Sequence, residues 1–164
     1  KPAAHGAVER QVQGRTVQKE YRTIVAGVVR CDEDWIDKDI DRHKKDFEKM
    51  AVVRKGEGKT AQTYYQVLER FDGFTYVRVK PRTGRTHQIR VHLNAISHPV
   101  VGDQTYGKRR VAGDTAVGRL NRQFLHASKL EFDHPVLGNP ISVVSELPED
   151  LQTVIEELAA PAAG

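Results

Sequence analysis

The stretch from residue 80 to residue 92 holds the side chains of this sequence that are best suited to chemistry on a polyanion. It reads Lys-Pro-Arg-Thr-Gly-Arg-Thr-His-Gln-Ile-Arg-Val-His, with four Lys or Arg, two His and no carboxylate. Between Arg78 and Arg110 there are eight Lys or Arg and a single acid, Asp103. This third of the chain therefore supplies a positive field that can hold a phosphate backbone.

Charge is distributed unevenly along the 164 residues. Residues 1–144 carry all 26 Lys and Arg but only 17 of the 22 acids, and the other five acids lie beyond residue 144. Such a surplus favours RNA or another acidic partner, although a basic face also occurs on soluble domains that bind neither. The length and the 38% apolar content predict a single domain spanning residues 1–164.

Other features of the sequence exclude some classes of protein. Cys31 is the only cysteine, so no intrachain disulfide can form, and we expect a small core residue in a reducing compartment. No apolar stretch is long enough for a signal core or a membrane span, which predicts a soluble, cytoplasmic protein. His87 and His92 would point about 140° apart on a helix, so we predict no metal site.

The apolar pattern predicts an α+β fold with a mixed, largely antiparallel sheet and packed helices. Asp72-Gly73 is a strong hairpin signal, and Thr86 is expected to cap a helix whose buried stripe is Ile89, Leu93 and Ile96. We predict strands over residues 19–29, 63–70, 75–80, 124–132 and 141–144. We predict helices over residues 3–13, after Thr86 and from Pro148. A charged loop is predicted over residues 30–50 and a turn-rich loop over residues 98–122, which we expect to be mobile towards its end. Residues 159–164 are predicted to form a frayed tail.

Several blocks in one order and spacing resemble the RluA/RluD-type pseudouridine synthases. The most specific is Arg82-Thr-Gly-Arg-Thr-His-Gln-Ile-Arg-Val-His92. It is followed by His98-Pro-Val-Val-Gly-Asp-Gln-Thr-Tyr-Gly107, Leu125-His-Ala127 and His134-Pro135. Residues 19–25 and 59–68 resemble two earlier segments of the family, so the likeness covers nearly the whole chain.

The resemblance implies an enzyme that isomerises uridine to pseudouridine in RNA without a metal or organic cofactor. In that family a nucleophilic aspartate starts the reaction, and the target base leaves its stack to reach it. By family frequency, ribosomal RNA is a more frequent substrate than transfer RNA.

The resemblance also assigns roles to individual residues. Arg90 matches the arginine that faces the nucleophilic aspartate, and Tyr21 matches the tyrosine whose ring packs on the uracil. Without the surrounding motif, the alternative for Arg90 is an ordinary arginine on the surface of a helix, and the alternative for Tyr21 is a half-buried tyrosine of a strand. RNA contacts are predicted at Arg82, Arg85, Thr86, His87, Gln88, Lys108, Arg109 and Arg110. For His87 and Gln88, packing in the wall of the site is an equally good interpretation. For Lys108, Arg109 and Arg110, a solvated surface is an equally good interpretation.

One departure from the family bears on activity. The family's nucleophile lies in a His-Arg-Leu-Asp segment that this sequence lacks, and we interpret the six aspartates between residues 32 and 46 as solvated loop charges. We therefore expect the chain to be the C-terminal portion of a catalytic domain, inactive alone because it lacks its nucleophile. Two alternatives remain: a truncated RNA-binding module without chemistry, and a globular α+β domain with a basic face.

Overall fold

The computed structural model describes residues 17–107 and 115–160, which form one large sheet, a small two-stranded sheet and three helices. The large sheet has the strand order β2-β5-β6-β1-β7-β8, and each pair of neighbours in it is antiparallel. The strands are β1 Gln18–Ala26, β2 Glu33–Asp37, β3 Ile40–Arg42, β4 Met50–Val52, β5 Gln62–Arg70, β6 Phe74–Pro81, β7 Leu125–Asp133 and β8 Pro140–Val144. The helices are α1 Gln88–Ala95, α2 Ala116–Arg119 and α3 Glu149–Ala159.

The predicted α+β class, the five predicted strands, and the helices after Thr86 and from Pro148 are confirmed, with bounds that differ by one to three residues. The hairpin of β5 and β6 turns at Gly73, whose φ of +77° is the left-handed conformation that an Asp-Gly turn requires. Val77 and Val79 are fully buried, whereas Lys80 on the same strand is exposed. The two-residue period of a strand explains this alternation.

Helix α1 covers one face of the large sheet. Ile89 and Leu93 pack with Val25, Val77 and Val79 in the largest buried cluster. These side chains recur at four-residue spacing on the helix and at two-residue spacing on β6, so both elements present one apolar surface. Helix α1 is thereby fixed against the centre of the sheet.

Helix α3 covers part of the opposite face. Leu151 and Val154 are almost completely buried and pack with Ile24 and Phe124. Two acids, Glu149 and Asp150, lie in the first turn of α3, where they interact favourably with the positive end of the helix dipole. The two helices thus hold opposite faces of one sheet.

The prediction of an unstructured charged loop over residues 30–50 was wrong, because this segment contains β2, β3 and the start of β4. Strand β2 is an edge strand that exposes four of its five side chains, so its acids hide the alternation on which strand prediction depends. Ile36 and Ile40 are the buried apolar residues of this region. Asp39 is buried too, and its carboxylate accepts a hydrogen bond from the Gly56 N–H, so not all six aspartates are solvated.

Two smaller predictions were also wrong. Thr86 does not cap α1, because His87 occupies the N-cap position in a left-handed conformation with φ 55° and the helix begins one residue later. Cys31 is exposed rather than in the core, since it lies in the turn before the edge strand β2.

Some predictions lie wholly or partly outside the described residues: the helix over residues 3–13, the basic run Lys108–Arg110 and the tail after residue 160. Ala159 is the last residue of α3. No helix within residues 17–107 and 115–160 is long and apolar enough to cross a membrane.

Candidate active site

The turn between β6 and α1 is held by the side chain of Gln88. Its amide nitrogen donates to the Gln62 carbonyl and to the Thr63 hydroxyl, each at 2.9 Å. Its amide oxygen accepts from the Thr83 hydroxyl at 2.7 Å and from the Arg85 N–H at 3.1 Å. A side-chain amide has two N–H donors and two acceptor sites, and all four are used here, so Gln88 fixes the turn. Gln88 can therefore influence RNA binding only through the turn that it holds, and not through a direct contact of its own amide.

The exposed part of this turn carries the predicted RNA-binding cations. Arg82 and Thr86 are exposed, and Arg85 is half-buried with its Nε donating to the Thr60 carbonyl at 2.8 Å. The structure thus brings Arg82, Arg85 and Thr86 to one surface next to the start of α1. Lys108, Arg109 and Arg110 lie beyond the described segment that ends at Gly107.

The His87 ring is hydrogen-bonded to a tyrosine of the 98–107 turn. Its Nδ1 lies 2.7 Å from the Tyr106 hydroxyl, which already accepts a hydrogen bond from the Met50 N–H at 2.9 Å. The Tyr106 hydroxyl can donate its proton to Nδ1, and we assign this direction, which places the hydrogen of the neutral ring on Nε2. Burial lowers the pKa of His87, and the charge of Arg90 lowers it further, so the neutral ring is the form expected at pH 7.

Arg90 is clamped by a buried carboxylate. Its Nε lies 2.8 Å from Oδ2 of Asp103 and its Nη2 lies 2.9 Å from Oδ1. Its guanidinium carbon lies 5.0 Å from the centre of the Tyr106 ring, within cation–π range. The side chain of Asp103 is completely buried and that of Arg90 is 13% exposed, so the predicted active-site arginine is not a surface residue of its helix.

The ion pair shifts the pKa of both partners. Burial by itself would raise the pKa of Asp103, but hydrogen bonds from Arg90 and from the N–H groups of Tyr106 and Thr105 outweigh it and lower that pKa. The hydrogen bond with Asp103 raises the pKa of Arg90. Gly102, with φ +78°, is required here because a Cβ at this position would collide with the carbonyl oxygen of Arg122. The backbone of the 98–107 turn therefore places the Asp103 carboxylate against Arg90 of α1.

Tyr21 lies on the same face of the sheet as α1. Its half-buried ring packs against the cluster that contains Ile89 and Leu93, and Arg90 lies between these two residues in sequence. Burial raises the pKa of Tyr21, so its hydroxyl stays protonated at pH 7. Within the described part of the chain the hydroxyl makes no hydrogen bond and is not committed to a structural partner.

Sequence reasoning named Arg90 and Tyr21 but missed the residues that orient Arg90. Asp103 and Tyr106 were quoted only as part of a resembling block. The signal was present, because Asp103 is the one acid among eight Lys or Arg, and a lone acid in such a stretch is a natural ion-pair partner. No group of three His, Cys, Asp or Glu in the described part of the chain lies close enough to hold a metal.

The Arg90–Asp103 pair leads to a test of stability. We expect Asp103→Asn to lower the free energy of unfolding at pH 7 by about 3–5 kcal/mol, because it leaves a partly buried guanidinium without its countercharge. The pKa of Asp103 is lowered in the folded state, so its contribution is present above the ordinary aspartate value and is lost as the pH falls through the lowered value. The difference between the two proteins in urea unfolding should therefore shrink only below about pH 4.

Asp72→Asn is the matched control, since Asp72 is exposed in the β5–β6 turn and Asn-Gly forms the same turn. It should change stability by less than about 0.5 kcal/mol. Equal effects of the two substitutions would contradict the role assigned to Asp103.

Comparison with known proteins identifies the relationship that these blocks suggest. Residues 1–95 match the family model described as RNA pseudouridylate synthase. The chain is 43% identical over 155 residues to an uncharacterized RNA pseudouridine synthase of Bacillus subtilis (strain 168), covering 94% of this chain and 48% of that protein. It is 47% identical over 154 residues to ribosomal large subunit pseudouridine synthase D of Pseudomonas aeruginosa, covering 90% of this chain and 47% of that protein.

A solved structure gives the same relationship. Human RNA pseudouridylate synthase domain containing 1 superposes with a TM-score of 0.75 at 34% identity, covering 90% of this chain and 62% of that chain. The chain spans about half the length of the curated relatives it matches. On the match of its first 95 residues and these identities, the chain belongs to the RNA pseudouridylate synthase family, whose members are isomerases.

Proposed function

We propose that the whole protein isomerises uridine to pseudouridine in structured RNA, with ribosomal RNA as the substrate rather than transfer RNA. The observation that carries the proposal is the buried Arg90–Asp103 pair, whose arginine lies on α1, the helix that packs on the Tyr21 face of the sheet. The choice of ribosomal RNA rests on relatives named ribosomal large subunit pseudouridine synthase D. The cytoplasm, where such RNA is found, is the proposed location.

The remaining N–H groups of Arg90 fit the carboxylate that the reaction requires. A guanidinium has five N–H donors, and Asp103 takes the Nε–H and one on Nη2. The Nη1 pair donates no hydrogen bond within the described residues. A second carboxylate on that edge would be kept ionised and oriented by paired hydrogen bonds, as a nucleophile must be. The family's aspartate has no counterpart motif in these 164 residues, so we propose that a segment outside them supplies it.

Tyr21 would act on the base. In the isomerisation the bond from N1 of uracil to the ribose breaks, and a bond from C5 to the ribose forms. The proton on C5 is lost and N1 gains one, so no external reactant and no cofactor is needed. The Tyr21 ring offers an aromatic face for the displaced uracil. Its raised pKa keeps the hydroxyl neutral, which suits a hydrogen-bonding relay rather than a phenolate base.

Binding must also offset the cost of flipping the uridine out of its stack, a few kcal/mol that a loop or single strand reduces. We propose that Arg82, Arg85 and Thr86 contact phosphate or ribose at the edge of the site, with Lys108, Arg109 and Arg110 as further phosphate contacts. His87, with an Nε2–H donor, is suited to an acceptor oxygen of the RNA. A non-catalytic RNA-binding module is the alternative, favoured by the missing His-Arg-Leu-Asp segment.

Turnover separates the two functions. The 164-residue chain alone should release no tritium from RNA labelled at C5 of uridine, whereas the full-length gene product should do so. The reason is that the attacking carboxylate lies outside these residues. A full-length protein that binds RNA but leaves every uridine unchanged, checked by mass spectrometry, would instead support the binding module.

Arg90→Lys tests the role of the planar guanidinium in the full-length protein. Lysine keeps the charge but loses the fork that holds two carboxylates, so we expect the rate to fall roughly 10²- to 10³-fold with RNA affinity little changed. Arg54→Lys, at an exposed position, is the control and should keep the rate. A near-normal rate for Arg90→Lys would remove Arg90 from the mechanism.

Two substitutions at Tyr21 separate its ring from its hydroxyl. If the hydroxyl handles the proton, both Tyr21→Phe and Tyr21→Leu lose single-turnover activity. If only the ring matters, Tyr21→Phe keeps activity and Tyr21→Leu loses it. Tyr76→Phe, at a half-buried tyrosine on the opposite face, should remain active. Survival of both Tyr21 variants would make the residue structural.

A further inference from the structure

Among the described residues, helix α3 covers only part of the face of the sheet opposite α1. Helix α3 packs over Ile24 and Phe124, towards one end of β1. Towards the other end, Glu20 and Arg22 flank Tyr21 in sequence and therefore point to the face opposite the Tyr21 ring. They line a cleft of about 530 Å³ together with side chains from β6, β7, β8 and the chain after β8.

Cations outnumber acids in this cleft. Glu20 lies 3.2 Å from Nη2 of Arg22, 3.4 Å from Nε of Arg78 and 4.0 Å from Nζ of Lys80. Three positive charges thus share one carboxylate whose side chain is 14% exposed. The Nε–H groups of Arg22 and Arg78 are buried and donate no hydrogen bond within the described chain. The cluster carries a surplus of positive charge and spare donors, which is what an anionic group requires.

An aromatic pair lies beside these cations. Trp35 on β2 is paired with Tyr64 on β5, and Tyr64 is paired with Lys80 on β6, so the three side chains form one row across the sheet. The Trp35 and Tyr64 ring centres are 5.3 Å apart, and Trp35 is 50% exposed. Trp35 is two strands, about 10 Å, from Lys80.

The two features belong to one continuous groove. A second cleft, beside Trp35, shares Glu20, Lys80 and Lys129 with the first. We name this surface the back-face groove and define it by Glu20, Arg22, Trp35, Arg78, Lys80 and Lys129. One end of it is cationic and the other is aromatic.

We propose that the back-face groove is a second RNA-binding site, which holds a phosphate of a single-stranded segment on Arg22, Arg78 and Lys80 and stacks a base on Trp35. The inference rests on the proposed function for its partner, RNA, and adds a binding surface on the face opposite Tyr21. Cationic grooves with aromatic platforms are the common means of holding single strands, since every base has a face that can stack.

The chemistry favours RNA over other occupants. An acidic peptide would satisfy the cations but offers no planar partner for Trp35. The sequence that precedes β1 is itself basic, with Lys1, Arg10 and Arg15 against Glu9, so its charge does not complement the groove. A polyanion that carries flat rings matches both ends.

Trp35 makes the groove directly observable, because it is the only tryptophan of the chain. We would titrate the 164-residue chain with a short fluorescein-labelled oligouridylate. Anisotropy of the label reports all binding, and quenching of Trp35 in parallel titrations with unlabelled RNA reports occupation of the groove. We expect saturable quenching that weakens with salt. Arg78→Gln/Lys80→Gln should weaken it roughly tenfold and lower the salt slope by about 0.7 for each phosphate that the variant no longer neutralises.

Arg30→Gln/Lys38→Gln is the matched control, because it removes the same charge from exposed positions outside the groove. It should leave quenching nearly unchanged. Glu20→Gln should strengthen quenching severalfold, since it removes the carboxylate that lies within 4.0 Å of Arg22, Arg78 and Lys80, while Lys129 keeps its ion pair with Glu131. A disrupted fold would not produce a gain.

The outcomes separate this proposal from the proposed function. RNA binding seen by anisotropy without a change in Trp35, or equal losses in the two double variants, overturns the groove and leaves the function standing. No binding of RNA by any readout overturns the groove, whereas the function of the whole protein is tested by the turnover of the full-length gene product. Tighter binding of a charge-matched acidic peptide than of RNA, measured by Trp35 quenching, assigns the groove to a protein partner and overturns the RNA site.

Discussion

The buried ion pair of Arg90 and Asp103 is the interaction on which the candidate site depends. Four hydrogen bonds offset the burial of Asp103, two from the guanidinium and two from the backbone of its own turn. Asp103 therefore joins α1 to the 98–107 turn and fixes one edge of the guanidinium. The Nη1 edge donates no hydrogen bond to the described residues, and its direction is already set. A preorganised donor of this kind needs no rearrangement to bind a carboxylate.

Strand β1 divides the molecule into two surfaces by alternation alone. Tyr21 faces α1, whereas Glu20 and Arg22 face the back-face groove. Because β1 lies between β6 and β7, its pairing register sets which side chains of all three strands accompany Tyr21. A shift of one residue would exchange the two surfaces, so the apolar side chains buried under α1 also specify where each set of polar groups lies.

Much of the fold was predictable because its signals are local. The Asp-Gly turn, the alternation in β6 and the apolar stripes of α1 and α3 each lie within a dozen residues. Strand β2 was not predicted because an acidic edge strand has almost no buried side. The start of α1 was misplaced because Gln88 holds the turn through partners on β5 that are 25 and 26 residues away in sequence. Arg90 and Tyr21 came from motif resemblance, but the partner that orients Arg90 is a three-dimensional contact.

Contacts between residues distant in sequence also explain why His87 has a left-handed backbone at the N-terminus of α1. A non-glycine residue in this conformation costs about 1–3 kcal/mol, so the surroundings must over-determine it. Here the Met50 N–H fixes the Tyr106 hydroxyl, and that hydroxyl fixes the imidazole. Tyr106 also lies under the guanidinium of Arg90, so one ring connects the helix start, the cation and β4. The backbone strain at His87 is thus offset by contacts of Tyr106, whose ring also contacts the guanidinium of Arg90. The left-handed backbone therefore serves the candidate site and not only the stability of α1.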